Sequence, residues 1–160
     1  MTIPTTGRIE ARLAELGITL PVPGRSVANF VPCVLAGQTL YISGQISFVD
    51  GAVVHPGKVG RELGIDDAKD AARICGLNAL AQARAFLGDL DRITRISMVH
   101  GFVNAVPEFT QHPVVINGVS DLLVEVFGEE IGRHARFAVG SSSLPFNTPV
   151  EVAIIAEVAP

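Results

Sequence analysis

Two side chains towards the C-terminal end of the chain, Arg136 and Glu151, are of the types that handle a small acid. A guanidinium holds a carboxylate through two parallel hydrogen bonds. A neighbouring carboxylate can hold or deprotonate a water. Both residues lie in apolar segments of GRHARFAVGSSSLPFNTPVEVAIIAE (Gly132 to Glu157), Arg136 eight residues before Leu144 and Glu151 seven after it. The stretch reads as two strands joined around Leu144-Pro145. Folded back as a hairpin centred near Ser143-Leu144, they would set Arg136 and Glu151 opposite or nearly opposite each other. The pair would then form a small site for an anionic, hydrolysable metabolite. The plainer alternative is a cross-strand ion pair, worth little if exposed, although the apolar neighbours argue against a purely solvated pair.

The elements that must position this pair follow from periodicity. Ile9, Leu13 and Leu16 recur at helical spacing before Gly17, which predicts a short helix over 7–16. Phe30 to Leu35 and Thr39 to Ser47 read as strands joined at Ala36-Gly37-Gln38. Asp50-Gly51 and Pro56-Gly57 predict a turn and a long loop over 48–64. A first long helix is expected over 66–87, capped by Asp66 or Asp67 and stopped by Gly88, with Ile74, Leu77 and Ala81 on one stripe. Residues 93–106 read as a strand covered on both faces. A second long helix is expected over 113–127, between Pro113 and Gly128. The last strands are 135–141 and 150–158. The order predicts an α+β fold: a mixed β-sheet with two long helices packed on one face. The other face needs cover, and oligomerisation is the simplest cover.

The 160 residues predict one domain, 1–160, with no repeat or dividing linker. Apolar residues make up 48% and charged residues 18%, so much of the surface is expected to be hidden, as between subunits. A net charge of −4 argues against broad contact with a nucleic-acid backbone. Cys33 and Cys75 lack CxxC spacing and read as reduced, buried residues. The N-terminus lacks a basic region followed by an apolar run, and no stretch approaches ~20 apolar residues, so a soluble, cytoplasmic protein is expected. None of His55, His100, His112 and His134 shows ligand spacing, so no metal is expected. His100 reads as a core residue and His112 as a helix-start residue. His134 shares the face of Arg136 only if the strand is already extended there. The cations of Gly57-Lys58-Val59-Gly60-Arg61 lack the phosphate-loop pattern and read as a solvated or packed loop. Glu129-Glu130 reads as an exposed pair after a helix.

In order and spacing the residues resemble the YjgF/RidA family, also known as endoribonuclease L-PSP-like. Ser43-Gly44-Gln45 follows the strand Leu40-Tyr41-Ile42. Asn117 sits near the start of the second long helix. Ala135-Arg136 opens the penultimate strand, and Leu144-Pro145 precedes Val150-Glu151-Val152. The resemblance covers roughly residues 29–158, leaving an N-terminal extension at 1–28. A longer, less characterised branch is the fuller match, through Gly57 to Leu63, Gly101-Phe102-Val103-Asn104, Val115 to Gly128 and the extra N-terminal segment. It implies a chorismate-mutase-like fold and a homotrimer with clefts between subunits. It further implies cofactor-independent hydrolysis of reactive enamine or imine intermediates to keto acids and ammonia, an activity like that of 2-iminobutanoate/2-iminopropanoate deaminases. In that resemblance Arg136 holds the substrate carboxylate and Glu151 positions the attacking water. The chain departs from the pattern at Ala153, where many members carry a second glutamate, at Ala138, where the deaminase branch often has Cys, and at Phe30, where a Tyr stands near the site.

Hydrolysis of an imine needs a protonated nitrogen, a water attacking carbon and expulsion of ammonia. Arg136 would orient the substrate and Glu151 would order the water or relay a proton. Backbone amides near Ser43 and Gly44, and the backbone at Ala138, could add contacts at close range. Asn117 either donates into the site from a neighbouring subunit or makes a local helix hydrogen bond. Gly44 is either a site residue or a strand bulge. Three functions compete: the deaminase, a protein that binds a small carboxylate in the same cleft without turnover, and an endoribonuclease. The acidic balance and the lack of a paired-His or basic-aromatic constellation place the last behind the others.

Overall fold

The computed structural model describes residues 7–160; residues 1–6, the start of the expected N-terminal extension and the segment read for a leader, lie outside the described residues. In chain order the elements are α1 (Arg8–Glu15), β1 (Cys33–Ala36), β2 (Thr39–Ile46), the short β3 (Phe48–Val49) and β4 (Ala52–Val53), α2 (Ile65–Leu87), β5 (Ile93–Asn104), α3 (His112–Gly132), β6 (Ala135–Ser141) and β7 (Val150–Val158). The main sheet has five strands in the order β1-β2-β7-β5-β6. All neighbours are antiparallel except β5 and β6, which run parallel. A parallel pair needs a crossover connection, and α3 supplies it.

The α+β class and the two long helices on one face agree with the sequence reading. Along β7, Val150, Val152, Ile154, Ala156 and Val158 are buried against the helices, while Glu151, Ala153, Ile155 and Glu157 face away. That is the period-2 pattern of a sheet with one covered face. The two helices approach closely because small residues line their contact. A Cβ at Gly76 would press on Val119 and Leu122, and one at Gly118 would overlap the backbone carbonyl of Lys69. Two carboxylate oxygens of Asp91 accept from the first free amides of α1, those of Arg8 (2.6 Å) and Ile9 (2.7 Å), so the added N-terminal helix is tied to the start of β5.

Four expectations are corrected. The segments 135–141 and 150–158 do not form a hairpin: β5 lies between β6 and β7. The strand β5 is covered on one face only within the chain, with Met98, His100 and Phe102 half-buried on the bare side. The helix α2 begins after Gly64, without a side-chain cap from Asp66 or Asp67. The segment 48–64 has the expected turn at Asp50-Gly51, but short strands flank it as the hairpin β3–β4 in place of loop. Gly88 (φ 81°) ends α2 as expected. Gly128 (φ 81°) breaks α3, but one further turn follows over 129–132. No helix among the described residues is long and apolar enough to cross a membrane.

Gly118→Ala tests the close packing of α2 on α3. Alanine in a helix gains up to about 1 kcal/mol over glycine, but the overlap here is with backbone, which cannot rotate away, and overpacking typically costs about 1–3 kcal/mol. The expected result is a lower urea midpoint with an unchanged slope; an unchanged or higher midpoint contradicts it.

Candidate functional site

Arg136 pairs with Val99 of β5 in the parallel ladder, and Val99 is fully buried on the helix side. Paired residues share a face, so Arg136 points towards α3. Its Nη1 donates to Ser120 Oγ (3.0 Å) and its Nη2 to the Pro113 carbonyl (3.2 Å). Both partners are neutral. A guanidinium carries five N–H donors, so three have no partner among the described residues. The group lines a cavity of about 630 Å³ shared with Asn117, Ser120, Glu125, Arg133 and His134. Ala138, two residues along, is half-buried on the same face opposite Gly101.

Glu151 pairs with Phe102 on one side and Ile46 on the other, on the face away from the helices. Burial raises its carboxyl above the ordinary value, and among the described residues no donor or cation offsets that. Beside it, β2 shifts register between Ile42 and Gln45, the irregularity that contains Ser43-Gly44. A Cβ at Gly44 would press on the Glu151 carboxylate and make it swing aside, so glycine here lets the carboxylate lie against the β2 backbone. Ser43 donates its hydroxyl to the Val31 carbonyl and its N–H to the Pro32 carbonyl, both at 2.8 Å. This ties the 30–32 segment to the bulge. Phe30 stands in that segment, outside β1, and is 56% exposed.

The expected opposition of Arg136 and Glu151 within one chain is therefore overturned. They are separated by two strand spacings, roughly 9–10 Å across the sheet, and by a further three residues, roughly 10 Å, along β5 (Val99 against Phe102), and point to opposite faces. The structure gathers Arg136, Asn117 and Ala138 on the α3 side, and Glu151, Gly44, Ser43 and Phe30 at the other face and its margin. Two residues belong with the first group that the sequence did not single out or only weakly suggested. Ser120 lies three positions after Asn117, on the same helical face. His134, two before Arg136, does share its side of the strand, and its Nε2 is 2.9 Å from Ser120 Oγ.

Other candidates have structural occupations. Lys58 Nζ donates to Asn104 Oδ1 (2.5 Å) and the Ser142 carbonyl (2.7 Å), and Arg61 pairs with Glu62. His55 meets Asp70 at 2.9 Å, His100 stacks on Phe137, and His112 lies against Phe109. Glu129 pairs with Arg133. Both cysteines are free and buried; burial pushes the Cys33 thiol up to about 11. Among the described residues no three His, Cys, Asp or Glu side chains cluster as a metal site.

The family model described as "YjgF/chorismate mutase-like, putative endoribonuclease" matches residues 10–158. The chain is 43% identical to "Protein TCP17" of Trypanosoma cruzi over 157 residues, 98% of each chain. Among solved structures, it is similar to the protein Atu1372 of Agrobacterium tumefaciens, titled as having unknown function, at 48% identity with a TM-score of 0.88, over 95% of this chain and 93% of the other. A structure titled "putative endoribonuclease" from Shewanella oneidensis matches at 33% identity and TM-score 0.89, over 94% and 99%.

The desolvated carboxyl of Glu151 has a thermodynamic signature. A raised folded-state value means that the native chain holds more protons than the unfolded chain above pH 4.5, so the group opposes folding as it ionises with rising pH. Glu151→Gln is expected to raise the Tm at pH 7, with the gain shrinking as pH falls towards 4.5. A pH-independent change, or a loss at pH 7, contradicts the assignment.

Proposed function

This chain belongs to the YjgF/chorismate-mutase-like family, and from that premise we propose that it hydrolyses small carboxylate-bearing enamines or imines to keto acids and ammonia at a site completed by a second copy of the chain. The observation that carries the reading is Arg136: a half-buried guanidinium lining a cavity, held by neutral groups only, with donors to spare. Such a group is built to receive an anion. Asn117 on the same cavity wall would add a donor. Glu151 supplies the complementary chemistry, a carboxylate of raised proton affinity without a partner of its own.

One substrate cannot touch both groups in one chain, which is why the second copy enters. The sheet face that bears Glu151 also carries Val34, Tyr41 and Val139, each 42–48% exposed, together with the half-buried His100, Phe102 and Phe137. An apolar sheet face of this kind calls for cover. Arg136 lies on β6, the edge strand, where a neighbour covering the bare face can be reached. A closed ring of copies, the trimer implied by the resemblance, would set the Arg136 wall of one subunit against the Glu151 wall of the next.

The reaction balances without a further reactant. An enamine first takes a proton from solvent at its terminal carbon to become the N-protonated imine, and Arg136 holds the carboxylate and aligns the imine carbon. Glu151 accepts a proton as water attacks that carbon. Glu151 returns that proton to the carbinolamine nitrogen, the C–N bond breaks with its electron pair leaving on ammonia, and the hydroxyl proton passes through Glu151 to solvent as the keto-acid carbonyl forms. Ala153 favours a second reading, carboxylate binding without turnover, because a carboxylate that many relatives carry in the resemblance is missing there. The family's endoribonuclease description has less support: the chain has a net charge of −4, and phosphate-backbone binding draws on clustered cations.

Ammonia release from freshly generated 2-aminoacrylate tests the proposal. Arg136→Ala is expected to cut kcat/KM by about 100-fold or more. Mixing decides where the site lies. Arg136→Ala and Glu151→Gln, each inactive, should regain about a quarter of wild-type activity when co-expressed in equal amounts, because a site shared between copies draws its two halves independently. Inactive mixtures overturn the shared site, and full activity of Arg136→Ala overturns the enzymatic reading.

A further inference from the structure

Ser120 Oγ lies between two partners: Arg136 Nη1 at 3.0 Å and His134 Nε2 at 2.9 Å. On the far side of the ring, His134 Nδ1 is 2.6 Å from the Gly132 carbonyl. A carbonyl only accepts, so Nδ1 carries a proton. In the neutral ring Nε2 then accepts, and the Ser120 hydroxyl donates to it while taking the Arg136 N–H on a lone pair. Every group in the run is satisfied once.

Protonation of Nε2 reverses one bond. The Nε2–H and the Nη1–H then both point at the Ser120 oxygen, and two cations face each other across it. The Ser120 hydroxyl proton must turn elsewhere, and the open side is the cavity that Ser120 lines. Burial, with the positive charge of Arg136 adding to it, holds His134 below its ordinary value, although the Gly132 carbonyl works the other way. The remaining charges around the cavity are matched: Glu125 with Arg73 (2.9 Å), Glu129 with Arg133 (2.8 Å) and Asp121 with Lys69 (3.7 Å). The charge of Arg136 is thus left for His134 to feel.

We propose that Ser120 and His134 are positioning residues that couple anion capture at Arg136 to proton uptake. A carboxylate docking on Arg136 cancels the repulsion across Ser120. His134 then takes a proton from solvent at Nε2, and the released Ser120 O–H turns into the cavity as one more donor to the anion. The inference rests on the carboxylate reading above and deepens it: the favoured ligand is an acid strong enough to stay ionised while an imidazole gains a proton, as a 2-keto or 2-imino acid does. By linkage, such an anion binds more tightly as pH falls through the histidine range.

Calorimetric titration with 2-oxobutanoate from about pH 8 to about pH 5.5, in buffers of differing ionisation enthalpy, tests the coupling on the full chain. Wild-type protein is expected to bind up to about tenfold more tightly at the acid end, the factor that one unit of change in the His134 value supplies, with net proton uptake. His134→Gln should retain Arg136-dependent binding with a flat profile and lose that uptake. Ser120→Ala should flatten it as well, and Ser120→Thr, which keeps the hydroxyl, should restore the slope. Equal slope and uptake in wild type and His134→Gln overturn the coupling while leaving the carboxylate site intact. Binding that is absent, or unaffected by Arg136→Ala, overturns the carboxylate reading and the coupling with it. Without any ligand, NMR titration of the imidazole should show His134 moving up in Arg136→Met. An unmoved value overturns the coupling independently of binding.

Discussion

The insertion of β5 between β6 and β7 governs the rest of the molecule. Because β6 runs parallel to β5 and β7 antiparallel to it, the crossover through α3 is obligatory and the two C-terminal strands never meet. The period-2 geometry then assigns faces without further choice. Val99 is buried against the helices, so its partner Arg136 turns the same way; Phe102 lies on the bare face, so its partner Glu151 does too. Moving either residue by one position would exchange faces. The separation of the two groups is therefore a property of sheet order, and any chemistry that needs both must recruit surface from outside the chain.

Charge placement reinforces that separation. Across α2 and α3 the ionised side chains are largely matched within reach, as in Lys69 with Asp121 and Arg73 with Glu125. These pairs are partly exposed and contribute little each to stability. Their consequence is electrostatic neatness: they leave the helix layer with little unbalanced field near the cavity, so that Arg136 stands out. Glu151 is distinct for a different reason. Its neighbours are strand backbone, Gly44 and apolar side chains, which withdraw water without supplying a donor. One group is charged and held by neutral partners; the other has its proton affinity raised by burial.

Much of this was legible in the residues. The two long helices announced themselves by periodicity and by their glycine stops, and Gly44 within a strand admitted a bulge as one of two readings. The family resemblance placed Arg136 and Glu151 in the correct strands. What the sequence could not disclose was which strands pair. A turn at Leu144-Pro145 between two apolar runs has the look of a hairpin, and hydrophobic alternation is identical whether the runs are adjacent or separated by a third strand. Sheet order is set by long-range packing, here the seating of α3 on β5 at Gly101, where a side chain would strike Ile116. Ser120 escaped notice for a related reason: a serine on a helix face carries no signal until a histidine and an arginine from another element arrive beside it.

The low charge content of the chain acquires a specific meaning from the bare sheet face. A sheet covered on one side usually alternates apolar inward and polar outward, yet β5 and β7 place Met98, His100, Phe102, Ala153 and Ile155 outward. These residues are half-buried already, because their neighbours on the same face are large and pack laterally, as Phe137 does against His100 and Phe102. Exposing them to water is costly and gains nothing for the fold. Their chemistry is explicable if the face is an interior surface of a larger assembly. Glu151 then emerges as the exception that such a surface tolerates only with a purpose, since a carboxylate enclosed by apolar walls costs stability unless it is protonated, paired or at work on a substrate.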